Sequence, residues 1–259
     1  MHQTLIRINW PKGFKCPPAE FREKLAKSEM FPPEFFHYGT ELAVWDKQTA
    51  EVEGKIKTVS KEKIIKTFDK PIPLNGRAPV RVIGGQAWAG VIADPEMEGM
   101  LIPHLGSILK VASSAAGCAV KIELEQRKFG ISYTEYPVKY NLRELVLKRR
   151  CEDARSTDIE SLIADRIWGG VSGESYYGID GTCAKFGFEP PSREQLELRI
   201  FPMKNIGLHM KSSDGLSKEY MSLIDAEVWM NAKLEGVWQV GNLISRGYGR
   251  FIKSIGAQS

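Results

Sequence analysis

Val240-Gly241-Asn242-Leu243-Ile244-Ser245-Arg246-Gly247-Tyr248-Gly249-Arg250-Phe251 is a glycine- and arginine-rich run near the end of a 259-residue sequence. Its glycines permit positive φ angles and the close approach of another backbone. Between them stand Arg246 and Arg250, whose planar guanidinium groups match phosphate geometry, and Tyr248, a ring on which a base can stack. Amides exposed in such a turn form a concavity for anions, and the arginines add charge-assisted hydrogen bonds. The same glycines also fit a tight turn that holds no ligand.

Working back along the chain, Leu196 to Phe201, Ile206 to Met210 and Tyr220 to Met230 read as three strands, and Val171 to Asp180 as a glycine-rich loop. Leu142, Leu145 and Val146 have helical spacing. Thr157-x-x-Glu160 is a capping box that starts a second helix through Ile159, Leu162, Ile163 and Ile167, with Gly169-Gly170 as its stop. Two helices of about a dozen residues, each ~18 Å long, would project as a hairpin. Lys148, Arg149, Arg150 and Arg155 stand at its tip with Glu152 and Asp153 among them, either as a phosphate-binding surface or as an ordinary solvated tip.

The first half begins with an alternating strand, Thr4 to Trp10, and an amphipathic helix after Pro17-Pro18 that shows Phe21 and Leu25 on one face. Strand-like pieces follow at Glu41 to Trp45 and Val80 to Ile83. Asp94-Pro95 reads as a helix start, with Leu101, Leu105, Ile108, Leu109 and Ala112 as its stripe and Pro103 as a kink. Cys118 to Arg127 and Ile131 to Tyr140 alternate like the arms of a β-hairpin about Phe129-Gly130. Elements mixed in this order imply an α+β fold, with helices on one face of antiparallel sheets.

Composition narrows the function. The chain is 42% hydrophobic, with 36 Lys+Arg against 32 Asp+Glu, so it folds, and a net charge of +4 does not by itself name a nucleic-acid partner. Cys16, Cys118, Cys151 and Cys183 are too dispersed for a metal clamp or a disulfide framework, which implies reduced thiols in a cytoplasm. No apolar run nears the roughly 18 residues a membrane helix needs, so no membrane association is expected. The sequence has no phosphate loop, no H-E-x-x-H and no G-x-S-x-G elbow, which leaves nucleotide hydrolysis and zinc chemistry without support.

The run from Val240 to Phe251 resembles the glycine-rich loop of CRISPR-associated RAMP-superfamily proteins, where it lies between the last helix and last strand of a ferredoxin-like domain. The charged helical hairpin most resembles that of the repeat-RNA-processing endoribonuclease of type IV CRISPR systems. The resemblance implies ferredoxin-like (RRM-like) domains: an N-terminal one over 1–140, a helical finger inserted at 141–170, and a C-terminal half over 171–259 with the loop. It implies cleavage of repeat RNA without metal or other cofactor, by attack of a ribose 2′-hydroxyl that leaves a 2′,3′-cyclic phosphate. The guide RNA and other subunits of a ribonucleoprotein complex would be the partners.

In that reading Gly241, Arg246, Gly247, Tyr248, Gly249 and Arg250, with the four cations of the finger, hold RNA. His37 is the acid or base, Tyr38 a hydroxyl donor or stacking ring, and Arg22 the cation on the scissile phosphate. His209 is the reserve histidine, while His104 reads as structural and His2 as terminal. Arginines alone could also suffice, by positioning and charge stabilisation. Two further functions remain open: a non-catalytic subunit that holds the guide-RNA handle, and an unrelated α+β enzyme whose glycine loop is structural.

Overall fold

The computed structural model describes residues 1–32, 35–36, 41–52, 55–67, 80–85, 87–93, 95, 98–148, 158–172, 182–211 and 218–254. The alternating start is β1 (His2–Asn9), which buries Ile6 and Ile8 under helices and turns Leu5 to the opposite face. Next is α1 (Pro18–Lys27), where proline suits the first turn because its missing N–H would have no helical partner anyway; Phe21 and Leu25 are its buried face. β2 (Glu41–Val52) pairs with β3 (Lys55–Thr67), and β4 (Val80–Gly84) with β5 (Trp88–Ala93). α2 (Glu98–Leu101) passes through a 3-10 turn at Ile102–His104 into α3 (Leu105–Ala116), so Pro103 interrupts the helix as expected. Asp94, the expected cap, lies outside the described residues. With β6 (Lys121–Lys128) the first sheet is antiparallel, in the order β4-β5-β1-β6. Leaving aside the inserted β2-β3 pair, this is a β-α-β-β-α-β unit.

The second unit repeats the plan. It consists of β7 (Gly130–Lys148), α4 (Ile159–Ser172), α5 (Thr182–Phe186), β8 (Leu198–Lys211), β9 (Lys218–Glu235) and β10 (Arg250–Lys253), in the sheet order β10-β7-β9-β8. Where a second crossover helix would stand, between β9 and β10, the described chain has the glycine-rich run and a 3-10 turn at Ile244–Arg246. Each sheet has its own core under its helices. A small third cluster of Leu5, Ile83, Ile92 and Val237 includes residues of both units. There the buried Gln3 donates to the Val237 carbonyl at 3.2 Å and accepts from the Val237 amide at 2.8 Å.

Several expectations are corrected. β6 and β7 are not a hairpin: β6 pairs with β1, and β7 with β9 and β10. Alternation reports that a strand is half-buried, not which strand it pairs with. The chain passes between sheets at Phe129, ahead of residue 140, and that ring is buried against Phe186, Phe188 and Trp238.

The expected first arm of the helical finger is also strand. Leu142 lies opposite Ala226 and Leu145 opposite Ile224, so three steps of β7 match two of β9. This bulge, with Glu144 at φ 55°, lets leucines three apart share a face and so imitates helical spacing. Lys148 ends β7, and Arg149, Arg150 and Arg155 lie outside the described residues.

α4 does form, but its cap is Asp158, whose carboxylate accepts the Ser161 amide at 3.0 Å. Hydrogen bonds from Ser161 hold the Asp158 carboxyl below its usual range. Thr157 lies outside the described residues. Gly169-Gly170 does not stop α4, which runs on to Ser172. Glycine serves close packing there, since a Cβ on Gly170 would lie 2.5 Å from Val240 Cγ1. Finally, the two strands expected between 196 and 210 are one, β8, with an irregularity between Pro202 and Lys204.

Gly170→Ala forces Val240 to shift and should cost about 1–3 kcal/mol in a denaturant titration, despite alanine's better helix propensity. A neutral or stabilised variant would contradict this packing.

Candidate functional site

The run after β9 is fixed to both units. Within the second, Val240 donates to the Gly249 carbonyl at 2.8 Å, Asn242 to Val146 at 3.0 Å and Gly249 to Glu144 at 3.0 Å. The Gln239 side chain, itself buried, donates to the carbonyls of Ile244 at 2.8 Å and Tyr248 at 3.0 Å. Its oxygen accepts from Arg81 of β4 at 2.8 Å, which ties the loop to the first sheet. Gly249, at φ 67°, is required, because a Cβ there would lie 1.7 Å from the Val240 carbonyl oxygen. Gly247, at φ 93°, lies on Pro18 of α1 and the Val82 carbonyl of β4, each 2.8 Å from where its Cβ would be.

One expectation changes as a result. The amides of Asn242, Arg246, Gly247 and Gly249 donate to carbonyls of the protein, so the loop offers side chains to a ligand and not an amide nest at these positions.

The seat on α1 brings Arg246 toward Arg22. Burial, and then the charge of Arg246, hold the Arg22 guanidinium below its usual range. Arg22 donates to the Phe36 carbonyl at 3.2 Å and lies 5.4 Å from the Phe36 ring centroid, while its Nε is buried without a partner. Arg246 itself is exposed. Burial also lowers the pKa of Arg250, against the opposing pull of Glu144, and its Nε too is buried without a partner. The Arg250 guanidinium stands 5.8 Å from the Trp88 ring, and that of Arg7 4.9 Å from the same ring. The Tyr248 hydroxyl is pushed up by burial and Glu144, partly offset by Arg246.

The structure therefore gathers Arg22, Arg246, Gly247, Tyr248 and Arg250 where the two units meet. It does not describe His37 or Tyr38, which follow Phe36 in sequence. His104 packs on the rings of Phe31 and Phe35, with Nδ1 2.8 Å from the Met100 carbonyl, as suits a structural residue. Sequence reading missed Gln239, Arg7, Arg81 and Trp88. Only the Gly84-Gly85 turn before Trp88 gave a local sign of a crowded backbone. Among the described residues no three His, Cys, Asp or Glu side chains form a metal-binding group, and no helix is long and apolar enough to cross a membrane.

Two ferredoxin-like units in tandem, with a glycine-rich loop before the last strand, place this chain in the Cas6 fold class. Two solved structures titled as Cas6b share the fold at TM-scores of 0.54 and 0.53, with 11% and 12% identity over 98% of this chain and 100% of theirs. A third, titled "Csf5, CRISPR-Cas type IV Cas6 crRNA endonuclease", superposes at a TM-score of 0.72 with 24% identity, covering 98% of this chain and 100% of that one. The chain belongs to the family described as type IV CRISPR-associated endonuclease Csf5, whose sequence profile matches residues 1–256. No curated protein matches it.

Gly249→Ala should lower unfolding stability by about 3 kcal/mol, the upper end of the overpacking range. Gly106→Ala, which meets open space at the start of α3, should be neutral or stabilising. Equal melting temperatures for the two variants would contradict the seating of the loop.

Proposed function

We propose that this chain cuts CRISPR repeat RNA into guide RNA, without a metal ion, and keeps the product within an effector complex. The carrying observation is the convergence of Arg22 from the first unit and Arg246 from the second. Two like charges brought together, one of them desolvated, repel until an anion joins them, and a phosphodiester is an anion of the right geometry. Membership of an endonuclease family supports the same reading.

In the reaction a ribose 2′-oxygen forms a bond to the adjacent phosphorus while the bond to the next nucleotide's 5′-oxygen breaks. One proton leaves the 2′-oxygen and one reaches the 5′-oxygen, giving a 2′,3′-cyclic phosphate and a 5′-hydroxyl with no net oxidation or hydrolysis. Arg22 and Arg246 bond the non-bridging oxygens and stabilise the charge that builds on the phosphorane. Arg250, Tyr248, Lys148, Arg149, Arg150 and Arg155 hold the strand. His37 carries the proton, as acid or base, and Tyr38 donates a hydroxyl or stacks on a base.

The second reading, a subunit that only holds the guide-RNA handle, draws support from the site itself. Its described cations are guanidinium groups, which bind phosphate but cannot act as ordinary bases.

Purified protein incubated with repeat RNA in EDTA should yield a fragment ending in a cyclic phosphate. Arg22→Ala should slow that cleavage by about a hundredfold, in the range for loss of one donor to a developing oxyanion, and Arg22→Lys should not restore it. RNA left intact under tight binding would instead establish the non-catalytic reading.

A further inference from the structure

The second sheet buries one face under α4 and α5. Across three registered rows of residues its other face is at least partly exposed. In the first row Trp229 on β9 has Lys139 of β7 on one side and Arg199 of β8 on the other. In the second row Glu227 stands between Asn141 and Phe201, and Phe201 is 54% exposed. In the third row Asp225 pairs with Lys204, while the bulge brings Arg143 within 3.2 Å of its carboxylate; Arg143 in turn lies opposite Arg250.

Both carboxylates are already engaged. Glu227 takes Lys139 at 2.6 Å and the Trp229 indole N–H at 2.7 Å, and these bonds hold its carboxyl below the usual range. Asp225 accepts from Arg143 and from the Glu144 amide at 2.8 Å. Arg199 and Lys204 have no carboxylate partner among the described residues. The face is therefore cationic in balance and carries two aromatic rings, and through Arg250 and Trp88 it is continuous with the site between the units.

We infer that this face is a second RNA-contacting surface, a platform on which a single-stranded stretch of the substrate lays its bases against Trp229 and Phe201 while Arg199 and Lys204 meet its phosphates. The inference rests on the proposed RNA-cleaving function and adds to it a surface that extends beyond the Arg22 and Arg246 pair. Neighbouring strands lie ~4.8 Å apart and same-face residues along a strand ~6.7 Å apart, so rings and cations alternate at a spacing successive nucleotides can follow. Stacking on aromatic rings along a cationic sheet is a general way to hold single strands with little sequence preference. Addition of a protein strand is the poorer fit, because the open edge, β8, carries Pro202, which has no N–H to donate, and an irregularity beside it.

The test is fluorescence anisotropy at low salt with a labelled oligouridylate of about ten nucleotides, a length typical of such sites. Phe201→Ala and Trp229→Ala should each weaken binding about tenfold. Arg199→Ala should reduce the slope of log affinity against log salt by about 0.7, one phosphate contact on a single strand. Phe201 and Arg199 are exposed, so those variants decide the matter even if Trp229→Ala unfolds. Wild-type affinity and salt slope in both would overturn the inference and leave the face to a protein partner, with cleavage at Arg22 still standing. Wild-type protein that neither binds nor cuts repeat RNA would remove both readings together.

Discussion

Val240 is held between two glycines: Gly170 of α4 leaves no room for a Cβ against its side chain, and Gly249 leaves none against its carbonyl oxygen. That double contact sets how closely the loop, the second sheet and α4 pack. Gln239, the preceding residue, bonds two loop carbonyls and receives Arg81 from the first sheet. One short segment thus fixes the loop's internal shape and its place between the units. Arg246 and Arg250 stand where they do because the backbone on either side cannot move without breaking these contacts.

The proposed function follows from where that places charge. A guanidinium in water gains little from one phosphate, because solvent already stabilises it. Burial has removed part of that solvation from Arg22 and Arg250, and the field of Arg246 adds repulsion at Arg22. In the proposed reaction, the free energy lost in desolvating these groups is recovered when a phosphate arrives, and more is recovered as negative charge builds on its oxygens. The scaffold can supply this because two ferredoxin-like units each contribute one side of the cluster. Neither unit holds both Arg22 and Arg246.

What the sequence showed was local. Glycines separated by arginines point to a tight, cationic turn whatever surrounds them, and the alternation in β1 and the proline start of α1 need no partner to be read. The misreadings came from features that depend on a distant strand. At Arg143 and Glu144 a bulge set Leu142 and Leu145 on one face, and their spacing then counted as helical. Gly170 looked like a helix stop because Val240, its reason for being glycine, lies far along the chain. Trp88 carried no functional signal, since the arginines on its ring come from β1 and β10.

The most direct measurement is a double-mutant cycle on the rate of repeat-RNA cleavage, with Arg22→Ala, Arg246→Ala and the pair. If both guanidinium groups act on one phosphodiester, losing the second after the first should cost clearly less than losing it alone, a coupling of about 1 kcal/mol or more. Effects that simply multiply would show that the two arginines act on separate parts of the RNA, and would contradict a single phosphate site shared between the units.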